Sequence, residues 1–160
     1  MRASSLPPVL LVEDSPADVE LARRALAKCH LPNPIVVAER GEDALDLLLR
    51  QDAEAMRPAL VLLDLNIPGL GGREVLRTIK SDPTTRSIPV VVLSTSVHRN
   101  DLSHCYELGA NAYHCKSVEL NEYQDTIREI SRYWLGAVVA PPHPHLTERV
   151  PVGSGSGRRP

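Results

Sequence analysis

Short apolar runs alternate along the chain with longer segments in which apolar and polar residues are mixed. Most of the runs are rich in Val, Leu and Ile, which is typical of strands buried on both faces of a parallel sheet. Five strands are predicted, at 9–12, 35–38, 60–64, 89–93 and 112–115.

The segments between these runs carry apolar residues three and four positions apart, the spacing of a helix with one buried face. The first helix is predicted to start at Ser15-Pro16, where a capping residue is followed by proline. The others are predicted at about 41–51, 72–80 and 100–108, and from about 118 onward.

This repeated strand–helix unit predicts an α/β domain: a five-stranded parallel sheet with right-handed crossovers and helices on both faces. The domain is expected over residues 7–140. Residues 141–160 are rich in Pro, Gly and Ser, so we expect a flexible C-terminal tail.

Composition narrows the possible functions. The 160 residues carry a net charge of −2, which gives no electrostatic case for binding nucleic acid. The apolar stretch near the N-terminus is too short for a signal peptide or a membrane span. Three cysteines without metal-ligand spacing indicate reduced thiols, and we therefore expect a soluble cytoplasmic protein.

Polar side chains collect where the predicted strands end. Glu13 and Asp14 follow the first strand, Asp64 closes the third, and Ser94 and Lys116 follow the fourth and fifth. Parallel strands bring their carboxyl ends to one edge of the sheet, so these side chains should meet. Three acids together favour a hard cation such as Mg²⁺. The hydroxyl and the lysine are suitable donors to phosphoryl oxygens, which predicts phosphoryl transfer onto a carboxylate.

Each of these residues also has a simpler interpretation. Glu13-Asp14 is a common acidic pair at a helix start, and Asp64 is a common turn former at a strand end. Ser94 is able to cap a turn, and Lys116 to lie solvated on the surface. The combination of all five at successive strand ends favours a site.

Four segments of the chain resemble the receiver domain of two-component response regulators, over about residues 7–135. They read LLVEDSPAD, LVLLDLNIPGLGG, VVLSTS and NAYHCKS, in the order and spacing of that family. The resemblance implies a doubly wound, flavodoxin-like fold with strand order 2-1-3-4-5. It also implies a phosphoacceptor, Asp64, and a Mg²⁺ (or Mn²⁺) site formed by Glu13, Asp14, Asp64 and the backbone carbonyl of Asn66. The resemblance also assigns phosphoryl binding and switching to Ser94, Lys116 and Tyr113. An aromatic near a strand end, such as Tyr113, is often present only for packing.

Within that family the chain is most similar to single-domain regulators paired with bacterial phytochrome histidine kinases. The EDSPAD opening, GREVL at the third helix, Lys-Ser and the YWL ending carry this likeness. It implies a stand-alone regulator that takes a phosphoryl group from a light-sensing kinase by self-catalysed transfer. Apart from this transfer and autodephosphorylation no enzyme activity is expected, and output would pass through contacts with another protein.

The chain departs from the family pattern at two positions. Ser117 follows the lysine where the family usually has a cis proline, and a non-proline cis bond costs about 2.5–4 kcal/mol. The geometry of the Lys116–Ser117 bond is therefore open. Thr95 is larger than the usual Ala or Gly and is expected to alter phosphorylation and hydrolysis rates.

The last helix carries more apolar residues than one packing face needs. They either cover the sheet or form a homodimer interface, which we favour; the residues concerned are Tyr133, Trp134, Leu135 and Val138.

Two other functions compete with a phosphorylated receiver. A phosphatase of the haloacid dehalogenase type also places an aspartate at a strand end, but it needs a second aspartate where this chain has Asn66. The other is a receiver-like adaptor that never accepts phosphate.

Overall fold

Strands and helices alternate through the part of the chain that the structure, a computed structural model, describes: residues 6–52 and 54–141. The strands are β1 (Val9–Val12), β2 (Ile35–Ala38), β3 (Leu60–Asp64), β4 (Val90–Ser94) and β5 (Ala112–Cys115). The helices are α1 (Pro16–Lys28), α2 (Gly41–Leu48), α3 (Gly72–Ser81), α4 (Arg99–Glu107) and α5 (Leu120–Ser131), followed by a π-helix (Arg132–Ala137).

The strands form one parallel sheet in the order β2-β1-β3-β4-β5, which confirms the predicted doubly wound fold. The register aligns the strand ends. Val12 lies beside Leu63, and Asp64 lies beside Leu93, the residue before Ser94. Ser94 in turn lies beside Cys115, the residue before Lys116. The polar residues that end four strands therefore reach the same edge of the sheet.

Two apolar layers fix this sheet between its helices. Alternate side chains of β1 and β3 point to opposite faces, as the pleat of a strand requires. On one face they pack with α2 and α3, and on the other with α1 and α5. The strand residues are fully buried on both sides, which explains why their sequences are apolar throughout: Val9, Leu10, Leu11, Val12, Leu60, Val61, Leu62 and Leu63.

Two predicted helix boundaries were wrong. Helix α2 ends at Leu48 rather than near 51, because the following chain satisfies its last carbonyls: Met56 N–H donates to the carbonyl of Leu47, and Arg57 Nη1 donates to that of Leu48. Helix α5 begins at Leu120 rather than near 118, because Ser117 Oγ accepts from the N–H of Glu119 in a turn before the helix.

The apolar residues of the π-helix and Val138 after it divide between the core and the surface. Trp134 and Leu135 are partly buried against the core layer of α1 and α5. Tyr133 keeps 58% of its surface exposed and packs edge-on against the Trp134 ring, with ring centroids 5.3 Å apart. Val138 is partly buried. The predicted flexible tail lies, except for Pro141, outside the described residues, so the limit of the domain at 140 remains a prediction.

No helix in the described ranges is both long enough and apolar enough to cross a membrane.

Candidate functional site

Three carboxylates converge at the carboxyl edge of the sheet. One oxygen from each of Glu13, Asp14 and Asp64 lies within 4.8 Å of the others. Glu13 and Asp64 are buried, with 2% and 7% of their surfaces exposed, whereas Asp14 faces solvent. The site is thus an acidic cluster that is open to solvent at Asp14.

Lys116 lies buried in contact with two of these carboxylates. Its ammonium nitrogen is 2.5 Å from Glu13 Oε2, 2.7 Å from Asp64 Oδ2 and 2.9 Å from Asp18 Oδ2. Only 8% of the lysine side chain is exposed. Since an ammonium group has three hydrogens, each of them is directed at a different acid. The lysine therefore neutralises part of the charge that the cluster would otherwise bury.

The remaining oxygens of the two buried acids accept backbone hydrogen bonds. Glu13 Oε1 accepts from Ser15 N–H at 3.0 Å, and Asp64 Oδ1 accepts from Asn66 N–H at 2.9 Å. These bonds orient both carboxylates toward Lys116, and they arise because the chain turns sharply at the end of each strand.

Burial and hydrogen bonding have opposite effects on the pKa values of Glu13 and Lys116. Burial raises the pKa of Glu13 above its ordinary value, and hydrogen bonds from Lys116 and Ser15 offset only part of this effect. Burial disfavours the charged form of Lys116, but its hydrogen bonds to Asp64, Glu13 and Asp18 outweigh this and raise its pKa. The lysine remains protonated, but its single positive charge does not balance the carboxylates that surround it.

The donor set fits a divalent cation. Magnesium and manganese ions favour carboxylate and carbonyl oxygens. A cation held by Glu13, Asp14 and Asp64 would offset the free-energy cost of burying ionised Glu13. Its side toward Asp14 would stay open to water or phosphate. The residues present are therefore those that such an ion requires.

Ser94 ends β4, the strand that pairs with the one carrying Asp64, and is 1% exposed. Its hydroxyl oxygen accepts from the N–H of Ser96 at 3.2 Å. A hydroxyl that accepts a bond retains its own proton for donation. The structure thus places a buried hydroxyl donor at the edge of the sheet, where it also supports the turn into the next loop.

Ser96 connects Ser94 to Tyr113. The Tyr113 hydroxyl donates to the Ser96 carbonyl at 2.9 Å, and Tyr113 is partly buried against the core layer of α2 and α3. Tyr113, the predicted switch residue, therefore packs against the core and also holds the β4–α4 loop by a hydrogen bond. Ser96 Oγ also donates to Asp101 at 2.5 Å, and Asp101 pairs with Arg73 at the start of α3.

The peptide bonds of the described residues are all trans, that between Lys116 and Ser117 included.

Sequence reasoning missed Asp18 and the Arg73–Asp101 pair. Asp18 lies in the first turn of α1, the helix that begins shortly after β1 and Glu13. A helix that starts directly after a strand keeps its first turn at the same sheet edge, and this was the available signal. No comparable local signal exists for Arg73 and Asp101, because they come from two different helices.

Comparison with known proteins agrees with this geometry. The model of the response regulator receiver domain family matches residues 9–128. Response regulator Rcp1 of Synechocystis sp. is 39% identical over 145 residues, which cover 88% of this chain and 99% of Rcp1.

Two solved structures extend the comparison. The phosphorylated cyanobacterial phytochrome response regulator RcpA is 42% identical, covers 85% of this chain and 99% of its own, and superposes with a TM-score of 0.80. The Mn²⁺-bound form of Rcp1 is 38% identical, with the same coverages and TM-score.

The chain therefore belongs to the response regulator receiver domain family. Proteins of this family are signal transducers that receive phosphoryl groups from histidine kinases in two-component phosphorelays. Neither the phosphatase nor the inert adaptor is favoured by these comparisons.

Proposed function

We propose that this protein is a stand-alone response regulator that accepts a phosphoryl group on Asp64 with Mg²⁺ or Mn²⁺ bound. The observation that carries the proposal is the position of Asp64, a buried carboxylate held at 2.7 Å from Lys116 within the three-acid cluster. Its likeness to Rcp1 extends over 99% of that regulator's length, which supports a stand-alone role.

The residues divide the chemistry between them. Glu13, Asp14 and Asp64, with the backbone carbonyl of Asn66, would hold the cation, which neutralises phosphoryl oxygens when bound. An Asp64 oxygen attacks phosphorus, the bond from phosphorus to the kinase histidine breaks, and the electron pair leaves with the imidazole. Lys116 balances the negative charge added to Asp64. The protein thereby catalyses its own phosphorylation and, with water as the attacking group, its dephosphorylation, but turns over no other substrate.

Ser94 and Tyr113 would respond to the phosphoryl group on Asp64 and change the conformation of the protein surface. A hydrogen bond from the Ser94 hydroxyl to the phosphoryl group is worth about 1.5–3 kcal/mol, enough to shift a two-state equilibrium about 10- to 150-fold. A movement of Ser94 toward the phosphoryl group would disturb the hydrogen bond that its hydroxyl accepts from Ser96 N–H. The carbonyl of Ser96 accepts from the Tyr113 hydroxyl, so the movement would reach Tyr113 as well. The bond between Tyr113 and the β4–α4 loop is the contact that phosphorylation would change.

The phosphoryl donor that we propose is a histidine kinase of the phytochrome type. The similarity to RcpA supports it, since RcpA is a cyanobacterial phytochrome response regulator by name. We also place the protein in the cytoplasm, where the three free cysteines of the described chain, one of them exposed, would stay reduced.

Phosphotransfer from a purified phytochrome-type kinase tests this function. We expect label from the autophosphorylated kinase to move to the wild-type protein and to differ between the two light states of the kinase. Asp64→Asn serves as the matched acceptor control. Transfer from unrelated kinases at equal rates would contradict the phytochrome link, and steady release of phosphate from generic phosphate esters would support the phosphatase instead.

We further propose a homodimer formed through the π-helix that follows α5 and the residue after it, by Tyr133, Trp134, Leu135 and Val138. Tyr133 and the neighbouring Val139 support this, since they are 58% and 94% exposed although apolar. Trp134 and Leu135 pack partly against the core, and this would hold the exposed part of the interface in a defined position.

Replacement of Tyr133 by serine is expected to weaken the dimer about thirtyfold, because an aromatic at the centre of an interface that acts as a hot spot contributes about 2 kcal/mol. Sedimentation at micromolar concentrations measures the change. Val97→Ser is the matched control, since Val97 is 76% exposed on the β4–α4 loop. A wild-type protein that sediments as a monomer would contradict the proposal.

A further inference from the structure

Asp18 is bound to Lys116 but is not one of the three clustered carboxylates. It lies in the first turn of α1, where its N–H donates to Ser15 Oγ at 3.3 Å. Its Oδ2 is 2.9 Å from the Lys116 nitrogen, and 31% of its side chain is exposed. The converging set of Glu13, Asp14 and Asp64 does not include it. Asp18 therefore contacts the lysine from a helix, whereas Glu13 and Asp64 contact it from the ends of strands.

Each carboxylate oxygen of the two buried acids already accepts a hydrogen bond. Glu13 and Asp64 each accept from Lys116 through one oxygen and from a backbone N–H through the other. Each oxygen has a second lone pair for a cation, but a bound cation then competes with Lys116 for the negative charge of both carboxylates. Lys116 would then keep a buried positive charge with two of its three partners drawn toward another cation. Burying an ammonium without partners is strongly unfavourable.

We propose that Asp18 is a positioning residue that holds Lys116 in place when Glu13 and Asp64 turn to the metal ion. It can do so because it binds the ammonium without belonging to the metal set. The inference rests on the proposed function, since it needs Glu13 and Asp64 to be metal ligands. In this role Asp18 allows the site to carry a lysine and a divalent cation together.

A direct effect of the Asp18 charge on the cation is the competing explanation. Any carboxylate near the site would attract a divalent ion, with or without Lys116. The two explanations differ in one respect. If Asp18 acts through Lys116, its removal should matter much less once Lys116 is absent.

A double-mutant cycle on Mn²⁺ binding separates them, with free Mn²⁺ measured by electron paramagnetic resonance. We expect Asp18→Asn to weaken Mn²⁺ binding about tenfold in the wild-type background, because the negative charge that pairs with the Lys116 ammonium is lost at a partly exposed site. In the Lys116→Met background the same change should weaken binding about threefold or less, leaving a coupling between the two positions. Lys116→Gln provides a second background if Lys116→Met does not fold.

Glu20→Gln is the matched charge control. Glu20 lies on the same helix and pairs with Arg24 rather than with Lys116. We expect it to change Mn²⁺ affinity less than about twofold. An equal loss from Asp18→Asn with and without Lys116, or no loss in the wild type, would overturn the inference and leave the proposed function standing. Failure of the wild-type protein to bind Mn²⁺ would overturn both.

Discussion

Replacement of Asp64 by asparagine is expected to reduce phosphoryl uptake from acetyl phosphate to background. The substitution keeps the size of the side chain, and its oxygen is still able to accept from Asn66 N–H as Asp64 Oδ1 does. It removes the ionised oxygen that attacks phosphorus, and an amide oxygen is a much poorer nucleophile. Mobility on Phos-tag gels measures uptake directly.

Asp14→Asn is the informative companion to this variant. Asp14 belongs to the same cluster but is exposed, and we propose that it holds the cation rather than the phosphoryl group. We expect this variant to be phosphorylated slowly but measurably, with more Mg²⁺ needed for the same rate. Uptake by Asp64→Asn at the wild-type rate would show that another residue accepts the phosphoryl group.

Replacement of Gly72 by alanine is expected to have the second large effect, on stability and on the site together. A Cβ at this position would lie 2.4 Å from the carbonyl oxygen of Asp64 and 2.5 Å from Cα of Leu65. Both are backbone atoms at the end of β3, so they cannot move without displacing Asp64. We expect the free energy of unfolding to fall by about 3 kcal/mol, the upper range for an overpacked core position, and phosphorylation to slow.

The adjacent Gly71 provides the control for this prediction. A Cβ on Gly71 meets nothing within 4 Å, and its backbone dihedrals suit any residue. Gly71 is the N-cap of α3, where Ala is a poorer cap than Gly, so Gly71→Ala should lower the free energy of unfolding by no more than about 1 kcal/mol. Urea unfolding of both variants in the presence of EDTA measures the difference without a contribution from bound metal. Equal stabilities would show that the close approach at Gly72 does not limit the fold.

The strands could be predicted from sequence because each is buried on both faces, which leaves an uninterrupted apolar run such as Leu60–Leu63. Their polar ends followed from parallel geometry, so the convergence of Glu13, Asp64 and Lys116 could be predicted from sequence as well. Helix ends were harder to predict. The end of α2 depends on hydrogen bonds from Met56 and Arg57, and these residues carry no helix-stop signal.

Pairing between distant side chains could not be predicted. Asp18 and Lys116 are 98 residues apart, and their contact depends on the first turn of α1 meeting the residue that follows β5 at one edge of the sheet. In sequence Asp18 is indistinguishable from an acid that favours the start of a helix. The link from Ser94 through Ser96 to Tyr113 likewise needs the path of the β4–α4 loop, which sequence periodicity does not specify.

Asp64 is proposed as the phosphoryl acceptor within an acidic cluster that holds a metal ion. A crystal structure with Mg²⁺ and beryllofluoride, a mimic of the phosphoryl group, tests this assignment most directly. We predict beryllium bonded to an Asp64 oxygen, the cation on Glu13, Asp14 and Asp64, and Lys116 retained beside Asp18. Beryllofluoride absent from Asp64, with Glu13 and Asp14 turned away from any cation, would contradict it.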